Sequence, residues 1–240
     1  MTTYHLPACG GDPRVRVALL DGPLNMDEPR LLGATITQST ALKGFSDSAT
    51  QNALDLYNIV PFCPIVSVPL SGMVDEAAIA SAIEQAIDEG AWVICVNLAV
   101  PTVSRDRRPT EVLDRALVRA ERAGVLLVAT TGNHGQYALT LPAAFETVVA
   151  VGALDDAGEK AAKRSSWGGG FGTRRVLAPC DRYDVTAAST LVAGLCAAHL
   201  CLRLKRRNGG PVLTSATRSR LTSTAVGSRL NIAAMFLGLD

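Results

Sequence analysis

Short apolar runs recur along the first two thirds of the chain, and they read as continuous rather than alternating with polar residues. They lie at Val15–Leu20, Val66–Leu70, Trp92–Leu98, Val125–Ala129 and Thr147–Val151. Strands of this kind are buried on both faces, because a strand with one wet face alternates apolar and polar positions. Helical segments lie between them. Asp75–Glu89 carries Ile79, Ile83, Ala86 and Ile87 on one stripe, and Gly90 follows as a C′ residue. Thr110 is placed to cap a second helix with Leu113, Ala116, Leu117 and Ala120 on its apolar face, and Gly124 ends it. The alternation of strand and helix predicts an α/β fold with a doubly wound parallel sheet in three layers. The 240 residues suffice for one domain over 1–240 with a substantial core.

Composition removes several function classes. Hydrophobic residues make up 48% and charged residues 19%, as in globular proteins, and the net charge of +1 predicts no nucleic-acid partner. Leu191–Leu202 is the longest apolar run, too short for a bilayer span of roughly 20 residues, and it reads as a buried helix. Met1–Asp12 has neither a basic nor an apolar signal region. No membrane association is predicted, and a cytoplasmic location is expected. The cysteines at 9, 63, 95, 180, 196 and 201 form no C-x-x-C pair and read as buried thiols. His5, His134 and His199 are not at ligand spacing with them, so neither a metal nor another cofactor is predicted. Gly168, Gly169, Gly170 and Gly172 mark a surface loop without the strand-to-helix context of a phosphate loop. Between Asp184 and Asp240 no acidic residue occurs, whereas Arg203, Lys205, Arg206, Arg207, Arg218, Arg220 and Arg229 do. Such a segment reads either as a solvated helical face or as a contact surface for an acidic partner.

Ligands of doubly wound sheets bind beyond the carboxyl ends of the strands. Asp21, Asn97 and the Gly132–Asn133 pair each sit at or just past such an end. Singly each reads as a turn residue; together they mark one candidate edge.

Several segments resemble the subtilisin-like serine proteases, in the family's order. Val15–Leu24 resembles the strand carrying the catalytic aspartate, which falls on Asp21. Ala91–Ala99 is similar to the substrate-binding strand, so Asn97, Leu98 and Ala99 take that role by resemblance. Ala123–Gly135 resembles the segment with the oxyanion-hole asparagine, which falls on Asn133 after Gly132. Leu141–Ala144, Val148–Ala153, Ser165–Gly168 and Leu177–Pro179 continue the match. Leu191–Gly194 resembles the helix after the nucleophile, and Ser228–Asn231 the closing segment. The Asp21-Gly22-Pro23 form resembles proteases that mature ribosomal peptide natural products, the cyanobactin type. The resemblance implies a subtilisin-like fold and an edge that takes peptides.

The departures from the family bear on activity. In place of its His-Gly-Thr motif stands Ser48-Ala49-Thr50, and no histidine occurs between His5 and His134. Counting back from Gly194 puts Thr186 where the family has its nucleophilic serine. Ala99-Val100 replaces a Gly-Gly and is expected to crowd the cleft. A hydroxyl is a poor nucleophile without a base within hydrogen-bond reach, and an aspartate without a histidine has nothing to orient. His134 adjoins Asn133 on the pocket side, and His199 falls well into the following helix, where core packing is expected. Cys180 follows Ala178-Pro179 and reads as a tolerated small residue. Asp21, Ser48, Thr186 and Asn133 are thus expected to be degenerate triad and oxyanion positions. The leading expectation is a pseudo-protease that binds peptide or supports an active subtilisin-like subunit or its precursor peptide. The alternatives are a peptidase using Thr186 as nucleophile and a doubly wound ligand-binding protein without a peptide role.

Overall fold

The computed structural model describes residues 10–40, 42–102, 109–134, 139–154, 165–166, 174–179, 185–225 and 229–237. The glycine-dense stretch at 168–172 and the residues His5, Cys9, Cys180 and Asp184 lie outside them. In chain order the elements are β1 (Arg16–Asp21), β2 (Ile36–Gln38), α1 (Asp47–Ile59), β3 (Ile65–Pro69), α2 (Glu76–Asp88), β4 (Ala91–Val96), β5 (Val100–Thr102), α3 (Glu111–Arg122), β6 (Leu126–Thr130), β7 (Leu139–Leu141), β8 (Val149–Ala153), β9 (Arg174–Ala178), α4 (Val185–Arg206), α5 (Thr214–Thr224) and α6 (Ile232–Phe236). A parallel seven-stranded sheet has the order β2-β3-β1-β4-β6-β8-β9, and β5 pairs antiparallel with β7 beside it.

Alternate residues of each central strand enter different cores. Val17, Leu19, Val93, Cys95, Val128 and Val149 pack with α1, α4 and α5 on one face. Ala18, Leu20, Ile94, Val96, Leu127 and Ala150 pack with α2 and α3 on the other. This double burial is the reason the strand sequences are continuously apolar. From β1 the chain passes to the edge strand β2, returns through α1 to β3 beside β1, and crosses through α2 to β4 on the other side of β1, after which β6, β8 and β9 extend the sheet. The α1 and α2 crossovers run in the same direction across parallel strands yet lie on opposite faces, so they are of opposite hand. Asp21 ends β1, and Asn97 follows β4 directly.

The predicted strands and helices form, with three differences. The strand expected over Trp92–Leu98 ends at Val96, because Asn97 turns into the site. Thr110 does stand at the N-cap of α3, but its side chain makes no capping bond; instead its N–H donates to the buried carboxylate of Glu76 at 2.6 Å. The expected helix at Leu191–Leu202 runs on to 22 residues. That helix is long and apolar enough to cross a membrane by length and composition, yet 83% of its most apolar window is buried inside the fold, as in a core helix. Gly194 lets it approach α1, since a Cβ there would lie 2.8 Å from Ile59 Cδ1. In the acid-free C-terminal segment, Arg207, Arg218 and Arg220 donate to the carbonyls of Pro211, Thr147 and Leu237.

His199 is 2% exposed on α4, with Nδ1 3.0 Å from Thr217 Oγ1 and its ring edge-on to Phe236. Burial, helped by the Arg203 and Arg220 charges, pushes its pKa down to about 4 from 6.5. The unfolded chain therefore binds the proton first. The stability that a neutral His199 supports is whole above pH 6.5 and is lost as the pH falls towards 4. We expect a loss of about 3 kcal/mol across that window, and a smaller loss in His199→Leu. Urea unfolding of both proteins at pH 7.5 and 4.5 measures it; equal losses would show that His199 does not titrate this way.

Candidate functional site

Asp21 is the hub of a buried polar network at the sheet's carboxyl edge. It is 7% exposed. Its Oδ1 accepts the Gly22 N–H at 2.8 Å, and its Oδ2 accepts the side-chain amides of Asn52 and Asn97, each at 2.9 Å. Each partner comes from a different element. Asn97 follows β4, the strand hydrogen-bonded to β1, and its own N–H donates to Leu20 O at 2.9 Å. Asn52 is fully buried on α1, one turn after Ser48. The helix starts beside Asp21 because Ser46, its N-cap, packs on Gly22, where a Cβ would lie 2.7 Å from Ser46 Cβ.

The amide of Asn52 also donates to Thr186 Oγ1 at 3.2 Å, so one nitrogen bridges the carboxylate and the threonine hydroxyl. Asn97 is fixed in orientation from both sides. Its Nδ2 also donates to Thr190 Oγ1 at 3.0 Å, and its Oδ1 accepts from Ser189 Oγ at 2.6 Å and Cys95 Sγ at 3.3 Å. A carboxylate accepts only, so the nitrogens of both asparagines must face it. Thr186, Ser189 and Thr190 lie within the first turns of α4, at i, i+3 and i+4 spacing on one face. Cys95 is no nucleophile in this setting: burial, with the Asp21 charge, pushes its thiol up to about 12.

The expected site residues thus divide. Asp21, Asn97 and Thr186 are joined through the two amides. Ser48 is exposed near the start of α1, and Asn133 is exposed beyond β6. Gly132, which precedes Asn133, is buried with φ of +82°, and a Cβ on it would lie 3.1 Å from Ala99 Cβ. Ala99 and Gly132 therefore lie close to each other. Leu98 and Ala99 are half-buried, outside any ladder, and the segment after them is already paired through β5 to β7. His134 is exposed, and its N–H donates to Ser166 Oγ at 3.0 Å. Among the described residues no group of three His, Cys, Asp or Glu is placed to hold a metal ion.

Asn52, Ser189, Thr190 and Cys95 are the members that sequence reasoning passed over. Helical spacing was the available signal: Asn52 is four residues after Ser48, and Ser189 and Thr190 follow Thr186 by three and four.

Comparison with known proteins places this geometry. The sequence pattern of the Subtilase family matches residues 17–219. A thermostable alkaline protease of Halalkalibacterium halodurans is 30% identical over 117 residues, covering 48% of this chain and 31% of that protein. Subtilisin Savinase of Lederbergia lenta is 29% identical over 151 residues, covering 62% of this chain and 52% of the relative. The chain thus spans about a third to a half of the length of these curated relatives. Among solved structures, the prenylagaramide maturation protease PagA superposes with a TM-score of 0.84 at 26% identity, covering 96% of this chain and 95% of PagA. The patellamide maturation protease PatA superposes with a TM-score of 0.83 at 28% identity, covering 95% of this chain and 98% of PatA. A parallel sheet with an aspartate ending β1, matched over most of its length by the family pattern, identifies the chain as a member of the Subtilase family.

Proposed function

We propose that this chain is a catalytically inactive subtilase that binds peptide, or supports an active subtilisin-like partner, in the maturation of a ribosomal peptide. The observation that carries the reading is the Asn52 amide between Asp21 Oδ2 and Thr186 Oγ1. Attack by a hydroxyl requires a neighbouring group that takes its proton. An amide nitrogen has its lone pair delocalised into the carbonyl and acts only as a donor. The group held between carboxylate and hydroxyl is therefore one that cannot serve as a base. His199 lies thirteen residues further along α4, about 20 Å at the helical rise per residue, and His134 is exposed beyond β6.

Peptide binding needs no triad. An extended peptide is held by main-chain hydrogen bonds, with pockets for alternate side chains. Leu98, Ala99 and Gly132 border the edge where such a peptide would lie, and Asn133 stands exposed beside Gly132. The maturation context rests on the likeness to PagA and PatA, which are maturation proteases for prenylagaramide and patellamide. The partner under this proposal is an active subtilase subunit or its precursor peptide.

Purified chain is expected to show no peptide hydrolysis above buffer and no labelling by a fluorophosphonate probe. Cleavage that disappears in Thr186→Ala would overturn the proposal in favour of Thr186 as nucleophile. The network itself is read by stability. Asn52→Leu withdraws a donor from a buried carboxylate and should cost about 2–4 kcal/mol, whereas a neutral result in denaturant titration would mean that the bridge is not formed. For the partner, pull-down from the native host should recover a subtilase or a precursor peptide. Elution as a solitary monomer, with peptide processing unchanged after deletion, would remove that part of the proposal.

A further inference from the structure

Two thiols outside the site stand against each other. Cys63 lies in the turn between α1 and β3, and Cys201 lies on α4, with sulfurs 3.5 Å apart and both residues buried. We propose that Cys63 and Cys201 form a thiol–disulfide exchange site, which low-molecular-weight disulfides oxidise to an internal cross-link between α4 and the end of α1.

Polar groups lie beside these sulfurs. The N–H of Asp12 donates to Cys63 Sγ at 3.5 Å. The Arg14 guanidinium is held above its ordinary pKa chiefly by its bond to Asp12, and Cys201 adds to that shift, so a cation lies within electrostatic reach of the second thiol. Cys95 and Cys196 are also buried, and burial pushes both thiols well up, Cys95 to about 12. Selectivity for the Cys63–Cys201 pair follows from the 3.5 Å between its sulfurs and from the short segment over Cys63.

Access runs through a thin cover. Residues 10–12 lie across Cys63, with Phe62 N–H donating to Gly10 O at 2.8 Å. Gly11 has φ of +93°, and a Cβ on it would lie 3.1 Å from Cys63 Sγ and 2.9 Å from Cys63 N. Glycine is what allows so close a cover. Among the described residues, residues 10–12 are held over Cys63 by that main-chain bond and by the Asp12 N–H to Cys63 Sγ, so local opening of a short surface segment exposes the thiol.

The chemistry balances with a disulfide as oxidant. One protein thiolate attacks the small disulfide; a protein–small-molecule S–S bond forms, the old S–S bond breaks, and the small thiolate leaves and takes a proton. The second protein thiol, deprotonated, attacks the protein sulfur of that mixed disulfide and releases the other small thiol. Two protein thiols are oxidised and one small disulfide is reduced to two thiols. The sulfurs need only close from 3.5 Å to about 2.0 Å. Asn52 lies on α1 and Thr186 on α4, so the cross-link ties together the two helices that the Asn52–Thr186 hydrogen bond spans.

The test equilibrates the full chain with oxidised and reduced glutathione at graded ratios, followed by alkylation, peptide mapping and thermal unfolding. We expect a single Cys63–Cys201 link, reversible by reductant, and a Tm raised by about 5–10 °C on oxidation. Cys95 and Cys196 should alkylate only after unfolding. Cys63→Ala and Cys201→Ala should each abolish the link and the Tm shift. If the helix variant fails to fold, Cys63→Ala in the turn carries the same comparison. Full alkylation of both thiols at the oxidising end, a link to another cysteine, or an oxidised protein with unchanged Tm would each overturn the proposal.

Discussion

Helix α4 lies between the main sheet and α1, and the distances it keeps to both are set by small side chains. Ala188, Ala193, Gly194 and Ala197 are fully buried or nearly so along it. Larger residues there would lift the helix off β4, β6 and β8, and with it Thr186, Ser189 and Thr190. Asp21 then fixes the other side of the same junction, because its carboxylate draws amides from α1 and from the end of β4. A buried carboxylate must have its oxygens met by hydrogen-bond donors. The polar network and the close approach of α4 therefore depend on each other.

The central sheet was legible because double burial writes itself into sequence as continuous apolar runs. Val17 and Ala18 are neighbours in the chain yet face different cores, and neither position can be polar. The smaller strands were less visible. β2, Ile36–Gln38, lies at the sheet's edge with its residues partly exposed, so it lacks that signature. The pair β5 and β7 is three residues long on each side, and its pairing across 36 intervening positions leaves no local pattern. Thr110 stands at the N-cap as expected, but its observed bond is tertiary: its N–H donates to Glu76, distant in sequence, which no local pattern shows.

The site was half legible. Asp21, Asn97 and Thr186 could be placed from strand ends and from family order. Asn52 could not, because an asparagine within an amphipathic helix reads as a neutral position until the partner strand is known. Its burial among Asp21 and Thr186 is a tertiary fact. The same holds for Cys63 and Cys201, 138 residues apart in sequence and adjacent only once α4 has packed on α1.

The amides on Asp21 constrain any rebuilding of the site. Suppose a histidine were placed at position 48. It would meet a carboxylate whose Oδ2 is already taken by Asn52 and Asn97, and a threonine hydroxyl already engaged by the first of them. Removing Asn52 alone would strip a donor from a buried charge before any base could use the space. Each single step towards a triad is thus opposed by the packing that the others require. Asp21 and its two amides hold one another in place, so putting a base between Asp21 and Thr186 takes several substitutions at once.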